Sequence, residues 1–291
     1  MTVEESTLDL VRRALAEDVG SGDVTTDSTI PGDHASRGTI VAKAAGVVAG
    51  LDVARVVFAE CDPELVFTSV VADGERVEPG TVLATVEGRT RGILTGERVA
   101  LNFLQRMSGV ASAAAECAAA LEGSGTRVLD TRKTTPGLRA LEKYAVRAGG
   151  GENHRMGLWD MILIKDNHIE AAGSIRAAVA AARGLHPDLR IEVEAKSMDQ
   201  VAEAVSAGAD RVMLDNMSSE QMRDAIALVR AVDSPPEIEV SGGLTGDRLR
   251  EIAELKPDFV SVGALTHSAP ALDISLELEA RGAGAGSGAS Q

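Results

Sequence analysis

The chain has 291 residues, 44% of them hydrophobic and 25% charged, an ordinary balance for a soluble globular protein of one or two domains. Its net charge of −15 argues against general nucleic-acid binding, because a polyanion would be repelled over most of the surface. No apolar run reaches the roughly 18 residues of a membrane span, and the acidic start lacks the basic-then-apolar order of a signal peptide.

In chain order, Leu8, Val11, Ala14 and Leu15 at helical spacing predict a helix over Val3–Glu17. Asp18–Thr26 looks like a calcium loop only superficially, since its acids are wrongly spaced, and it reads as a structured loop. Short strands follow over Gly38–Lys43, Gly46–Ala49, Leu65–Val71 and Thr81–Glu87, with a helix near Leu51–Glu60 and tight turns within Ala72–Gly80. This pattern gives an N-terminal α/β sandwich domain over 1–115, from which a helix at about Glu97–Leu121 leads onward. Cys61 and Cys117 form no metal or disulfide pattern, so a reducing cytoplasm is the expected setting.

From about residue 115 the regime changes. Apolar segments Arg127–Leu129, Met161–Ile164, Ile191–Val193, Arg211–Leu214, Ile238–Val240 and Phe259–Val262 alternate with helical patterns. The helical stretches include Ser174–Arg183, Met198–Ala207, Ser219–Val232 and Gly246–Leu255. Repeated βα units imply parallel strands, buried on both faces and hence continuously apolar. Polar, charged or glycine residues follow each predicted strand, as they do where βα loops build a site at one end of a barrel. An open sheet would also bind there. Six strands fall short of a regular eight, so the expectation is an incomplete βα barrel over 116–281, followed by a disordered Gly/Ala/Ser-rich tail, 282–291.

Chemistry concentrates in those loops. Between Arg127 and Lys165 eight Lys/Arg stand against four Asp/Glu, either a localised anion site or a solvated helix face. Arg132 and Lys133 leave one loop in different directions, suited to two anionic groups unless the loop is a plain surface turn. His154 and Arg155 follow a run of three glycines that implies a sharp bend, close ligand approach or a mobile loop. Lys165 ends an apolar strand, which suits an anion contact, a snorkelling structural lysine or a Schiff-base nucleophile. Glu194 and Asp215 end consecutive strands, where a carboxylate pair can bind Mg²⁺, hold hydroxyls or stabilise a developing cation; one of them could instead cap a helix. Ser241, Gly242 and Gly243, and the loop from Gly263 and Ala264 to His267, let backbone N–H groups approach a phosphate, although a glycine pair is also a common turn.

These motifs converge. Glu97-Arg-Val-Ala-Leu-Asn102, Asp130-Thr-Arg-Lys-Thr-Thr-Pro-Gly-Leu-Arg139, Gly149-Gly-Gly-Glu-Asn-His-Arg155, Leu163-Ile-Lys-Asp-Asn-His168, Glu192-Val-Glu-Ala-Lys196 and Met213-Leu-Asp-Asn216 resemble those of quinolinate phosphoribosyltransferases. Lys143-Tyr-Ala-Val-Arg147, Ser241-Gly-Gly-Leu244 and Gly263-Ala-Leu-Thr-His267 do too, and the resemblance runs from about Leu8 to Leu278. It implies conversion of quinolinate and phosphoribosyl pyrophosphate to nicotinate mononucleotide, with Mg²⁺. It also implies a homodimer, or a higher oligomer, whose active site borrows Arg98 from the neighbour. By the same resemblance Arg132, His154, Arg155 and Lys165 hold the two substrate carboxylates, and Lys133 faces the pyrophosphate and reacting ribose. Glu194 and Asp215 hold ribose hydroxyls and Mg²⁺, and the two late loops hold the 5′-phosphate.

Three other readings stay open at this point. A related enzyme using nicotinate itself would need fewer cations, because its substrate has one carboxylate. A lysine-dependent aldolase would use Lys133 or Lys165. A non-catalytic metabolite binder would have no use for the acidic pair.

Overall fold

The computed structural model describes residues 4–243 and 246–280; the tail 282–291 and Leu244 of the Ser241 motif lie outside the described residues. The chain forms two compact units. One holds the chain up to Ser112 together with the chain from Ala269 onward, and the other holds Ala113–Ser268.

The first unit opens with α1 (Glu5–Val19) and the short α2 (Val24–Thr29). Val11 and Leu15 on one face of α1 are buried, and the helix packs on α3 (Leu51–Cys61). The stretch read as a loop over Asp18–Thr26 in fact contains the start of α2, whose N-cap is Asp23, accepting from the Thr26 amide at 3.0 Å. An acid there satisfies an orphan helix N–H. Strands β1 (Ala35–Ala42), β3 (Val66–Ser69) and β5 (Val82–Arg89) form an antiparallel sheet. The two-residue strands β2 (Gly46–Val47) and β4 (Arg76–Val77) pair separately. Helix α4 (Thr90–Ala120) starts seven residues before the expected Glu97, because β5 runs straight into it. Buried Thr90 marks the junction, its hydroxyl 2.6 Å from Ser36 Oγ.

The C-terminal end departs from expectation. The sequence reading carries the barrel domain to residue 281, whereas β12 (Ile274–Ala280) is the edge strand of the first unit's sheet, in the order β12-β1-β5-β3. It pairs antiparallel with β1 from Ser36↔Ala280 to Ala42↔Ile274.

The second unit alternates β6 (Arg127–Leu129), α5 (Arg139–Ala148), β7 (Ile162–Ile164), α6 (Asp166–Ala172), α7 (Ile175–Leu185) and β8 (Ile191–Ala195). It continues with α8 (Met198–Ser206), β9 (Arg211–Asp215), α9 (Ser219–Arg230), β10 (Glu237–Ser241), α10 (Gly246–Leu255), β11 (Phe259–Ser261) and α11 (Ala264–His267). Ser174, Ser197 and Ser218 cap α7, α8 and α9 by accepting an amide three residues on, which fixes where each helix starts. All six strands are parallel, in the order β6-β11-β10-β9-β8-β7. Strands β6 and β7 are therefore the edges of an open, barrel-like sheet. Among the described residues an isolated bridge from Leu129 to Glu152 extends the β6 edge. No described helix is long and apolar enough to cross a membrane.

Candidate active site

Strand register sorts the parallel sheet into two faces. One is aliphatic, with Ile191, Val193, Val212, Leu214, Ile238 and Val240, all buried. The other carries Leu163, Glu192, Arg211 and Glu237 in one row, then Glu194, Met213, Glu239 and Phe259, then Asp215, Ser241, Ser261 and Leu129. The strands are thus not apolar on both faces, as the sequence reading has it. Alternating Ile-Glu-Val-Glu-Ala and Glu-Ile-Glu-Val-Ser place charge on the inner face with period two.

A cavity opens on that inner face, lined by Thr131, Arg132, Lys133, His154, Arg155, Leu163, Lys165, Glu194, Met213, Asp215, Glu239, Ser241 and Ser261. It gathers eight of the sequence-predicted site residues: Arg132, Lys133, His154, Arg155, Lys165, Glu194, Asp215 and Ser241. Gly242, Gly243, Gly263, Ala264 and His267 do not line it; Gly242 adjoins Ser241 and Gly263 adjoins Lys133, both of which do, and His267 lies against Gly263. A Cβ on Gly263 would stand 3.1 Å from Lys133 Cδ, so the lysine stem lies along that glycine. The Thr266 hydroxyl donates to the Lys133 carbonyl at 2.8 Å. Gly242 has φ +107, and a Cβ there would be 2.2 Å from Asn216 Oδ1, so the close approach of two loops requires glycine. Arg98 lies in the first unit, exposed on α4, with no hydrogen bond or ion pair among the described residues.

Electrostatically the cavity is an anion trap with an acidic rim. Arg132 Nε is buried without a partner among the described residues. Burial, and then the neighbouring Arg132, lower the pKa of the Arg155 guanidinium from its ordinary value. Crowded cations with an unsatisfied donor are what an incoming anion relieves. Lys165 Nζ is 3.3 Å from Glu194 Oε2 and half exposed, the opposite of the desolvated amine a Schiff-base enzyme needs. The Asp215 carboxylate accepts from the Asn216 side-chain amide at 3.0 Å, and Asn216 itself has φ 55.

Beneath the rim lies a buried network that the sequence reading missed as functional. Lys143 on α5 is fully buried and paired with fully buried Asp130, and it also donates to the His154 carbonyl at 3.0 Å. Asp130 accepts from the His154 amide at 2.9 Å and from the Asn153 side chain. Arg139 ties the Arg132 and Met156 carbonyls together at 3.3 and 3.2 Å. Buried Arg211 donates to Glu237 at 2.9 Å and to Glu239 at 3.1 Å, and its guanidinium stacks 4.1 Å from the Phe259 ring centre. A charged residue between apolar neighbours within a β-strand is the signal for Glu192 and Glu239, and Arg211 opens β9.

The chain matches two family models: quinolinate phosphoribosyl transferase, N-terminal domain, over residues 23–108, and C-terminal domain, over 110–277. It is 44% identical over 264 residues to a Synechocystis protein named probable nicotinate-nucleotide pyrophosphorylase (carboxylating), covering 90% of this chain and 89% of that one. It is 43% identical to the Mycobacterium leprae nicotinate-nucleotide pyrophosphorylase (carboxylating), covering 92% and 96%. Its fold superposes on the crystal structure of NadC from Streptococcus pyogenes with a TM-score of 0.90 and 44% identity, over 94% of this chain and 96% of that one.

Proposed function

The chain belongs to the quinolinate phosphoribosyltransferase family, and we propose that it uses the cavity on the barrel's inner face to make nicotinate mononucleotide. Quinolinate and phosphoribosyl pyrophosphate are converted to that nucleotide, pyrophosphate and carbon dioxide, a step of NAD biosynthesis. The single observation that carries the site assignment is the gathering of Arg132, Lys133, Arg155 and Lys165 with Glu194 and Asp215 around one cavity.

Each group has a task that its chemistry suits. Quinolinate is a dianion, and Arg132, Arg155 and Lys165 offer it charge and planar two-pronged donors. His154 fits the carboxylate role less directly, because both ring nitrogens are engaged within the protein: Nδ1 accepts from the Arg155 amide at 2.7 Å and Nε2 lies 2.8 Å from Glu192 Oε2. We assign it to the cavity wall. Attack by the pyridine nitrogen on the anomeric carbon passes through an oxocarbenium-like state, which the Glu194 and Asp215 carboxylates stabilise while holding ribose hydroxyls. Lys133 neutralises charge as pyrophosphate departs. The 2-carboxylate of the new pyridinium then leaves as carbon dioxide, its bonding pair goes to the ring carbon, and that carbon takes up a proton. The Ser241–Gly243 and Gly263–His267 loops offer backbone amides to the 5′-phosphate.

Two carboxylates on adjacent strands are the oxygen donors that Mg²⁺ takes when substrate phosphates complete its shell. Glu194 and Asp215 would hold it, and it would supply charge neutralisation at the pyrophosphate. A homodimer in which Arg98 serves the neighbour's cavity is supported by an arginine on α4 that is exposed and unpaired among the described residues. The unpaired cysteines Cys61 and Cys117 suit a cytoplasmic setting.

Substrate choice tests the reading. With phosphoribosyl pyrophosphate and Mg²⁺, quinolinate should yield nicotinate mononucleotide and labelled carbon dioxide in equal amounts, and nicotinate should yield little. Turnover of nicotinate alone would overturn it in favour of the nicotinate-using relative.

A further inference from the structure

His154 Nδ1 lies 2.7 Å from the backbone nitrogen of Arg155. That nitrogen carries one hydrogen and can only donate, so Nδ1 is unprotonated and the proton of the neutral ring sits on Nε2. Nε2 is 2.8 Å from Glu192 Oε2, and 3.6 Å from Glu239 Oε2, beyond a hydrogen bond. Burial also pulls the imidazolium pKa down, which agrees with a neutral ring. Arg155, held at its amide by the ring, is held at its guanidinium by the Met161 carbonyl at 3.1 Å.

Glu192 is an improbable residue for packing alone. It is fully buried, and its Oε1 has no partner among the described residues, whereas Leu163 and Met213 fill nearby positions of the same face with apolar side chains. A metal is the other use for such a group, since ligand atoms of His154, Glu192 and Glu239 lie within 4.8 Å of one another. The ring speaks against it. With Nδ1 receiving an N–H, a cation on Nε2 would need an imidazolate, and the Arg211 guanidinium already stands 3.1 Å from Glu239.

We infer that Glu192 is a positioning residue: by accepting the Nε2–H of His154 it fixes the orientation of the ring, and that ring holds the Arg155 amide so that the guanidinium meets quinolinate in a set orientation. The inference rests on the reading of Arg155 as a quinolinate ligand.

Two variants separate hydrogen bonding from packing. Glu192→Met keeps the approximate shape and removes the acceptor; Glu192→Gln keeps an acceptor oxygen. Ring ¹⁵N spectra of the substrate-free protein have only five histidines to sort, and His154→Gln assigns the signal. Wild type and Glu192→Gln should show a bare Nδ1 and a hydrogen-bonded, slowly exchanging Nε2–H at neutral pH, while in Glu192→Met that Nε2–H loses its acceptor, so its signal shifts and exchanges faster with water. In Glu192→Met the KM for quinolinate should rise about tenfold, that for phosphoribosyl pyrophosphate should hold, and Glu192→Gln should recover most of the loss. A wild-type ring protonated on Nδ1, or Met and Gln variants equal in both spectrum and KM, overturns the inference. Should Glu192→Met fail to fold, the wild-type and Gln spectra still decide. Those spectra need no turnover, so they stand apart from any failure of the functional reading.

Discussion

Glu239 shows most plainly how burial converts a side chain's chemistry into stability. It is fully buried, and burial followed by repulsion from Glu192 pushes its carboxyl up to about 8. In the unfolded chain a glutamate titrates near about 4.3. Across that window the folded state keeps a proton that the unfolded chain has released. The contribution of this group is therefore whole below about pH 4, shrinks as pH rises, and is exhausted above about pH 8. Glu239→Gln imitates the protonated acid at every pH. Thermal melts from pH 4 to 9 should show variant and wild type nearly equal at the acid end, with the variant melting several degrees higher at pH 9. Parallel curves would refute the shift. Residues of this kind were hidden in the sequence for a physical reason. Arg132, Lys133 and Lys165 announce themselves by following apolar runs, but Glu192 and Glu239 sit within strands, where only the pairing of inner faces gives a carboxylate neighbours.

At the scale of elements, the strands and helices of the second unit were legible because each carries its own local signal: a short apolar run, a serine cap, a helical period. The register in β8 through β11 agrees with the runs read over Ile191–Val193, Arg211–Leu214, Ile238–Val240 and Phe259–Val262. Strand β12 was not legible, because its partner β1 lies more than two hundred residues earlier and no local pattern names so distant a pairing. The same non-local logic operates in the Asp130–Lys143 pair, which ties the end of β6 to α5 and, through His154, to the cavity wall. Burial pushes the Asp130 carboxyl up and the Lys143 ammonium down, and their pairing opposes both. Removing one partner strands the other's charge. Lys143→Met should lower the unfolding free energy by about 3–5 kcal/mol in urea titrations. Asp130→Asn added to that variant should restore part of the loss, and a double variant weaker than the single one would show the pair is not what matters.

For the whole molecule, charge distribution and assembly are one question. A chain of net charge −15 concentrates cations between Arg127 and Lys165 in the second unit, and on the proposed reading these draw two anionic substrates to one place. Arg98 stands outside that set, on the first unit, exposed and unpaired among the described residues. If its task is to complete a neighbour's cavity, Arg98→Ala and Lys133→Ala homodimers should each be inactive, because every site in them lacks one cation. A mixed dimer differs. One of its cavities pairs an intact Lys133 with an intact Arg98 from the other subunit, while its second cavity lacks both. Random exchange makes half the dimers mixed, each with one good site of two, so activity should return to about a quarter of wild type at equal mixing. Subunit exchange verified by differential tags, with no activity recovered, would place Arg98 in its own subunit's chemistry or in none. Recovery that rises with the mixed fraction and saturates near that ceiling would tie catalysis to the assembled dimer, making the oligomer a condition of the active site.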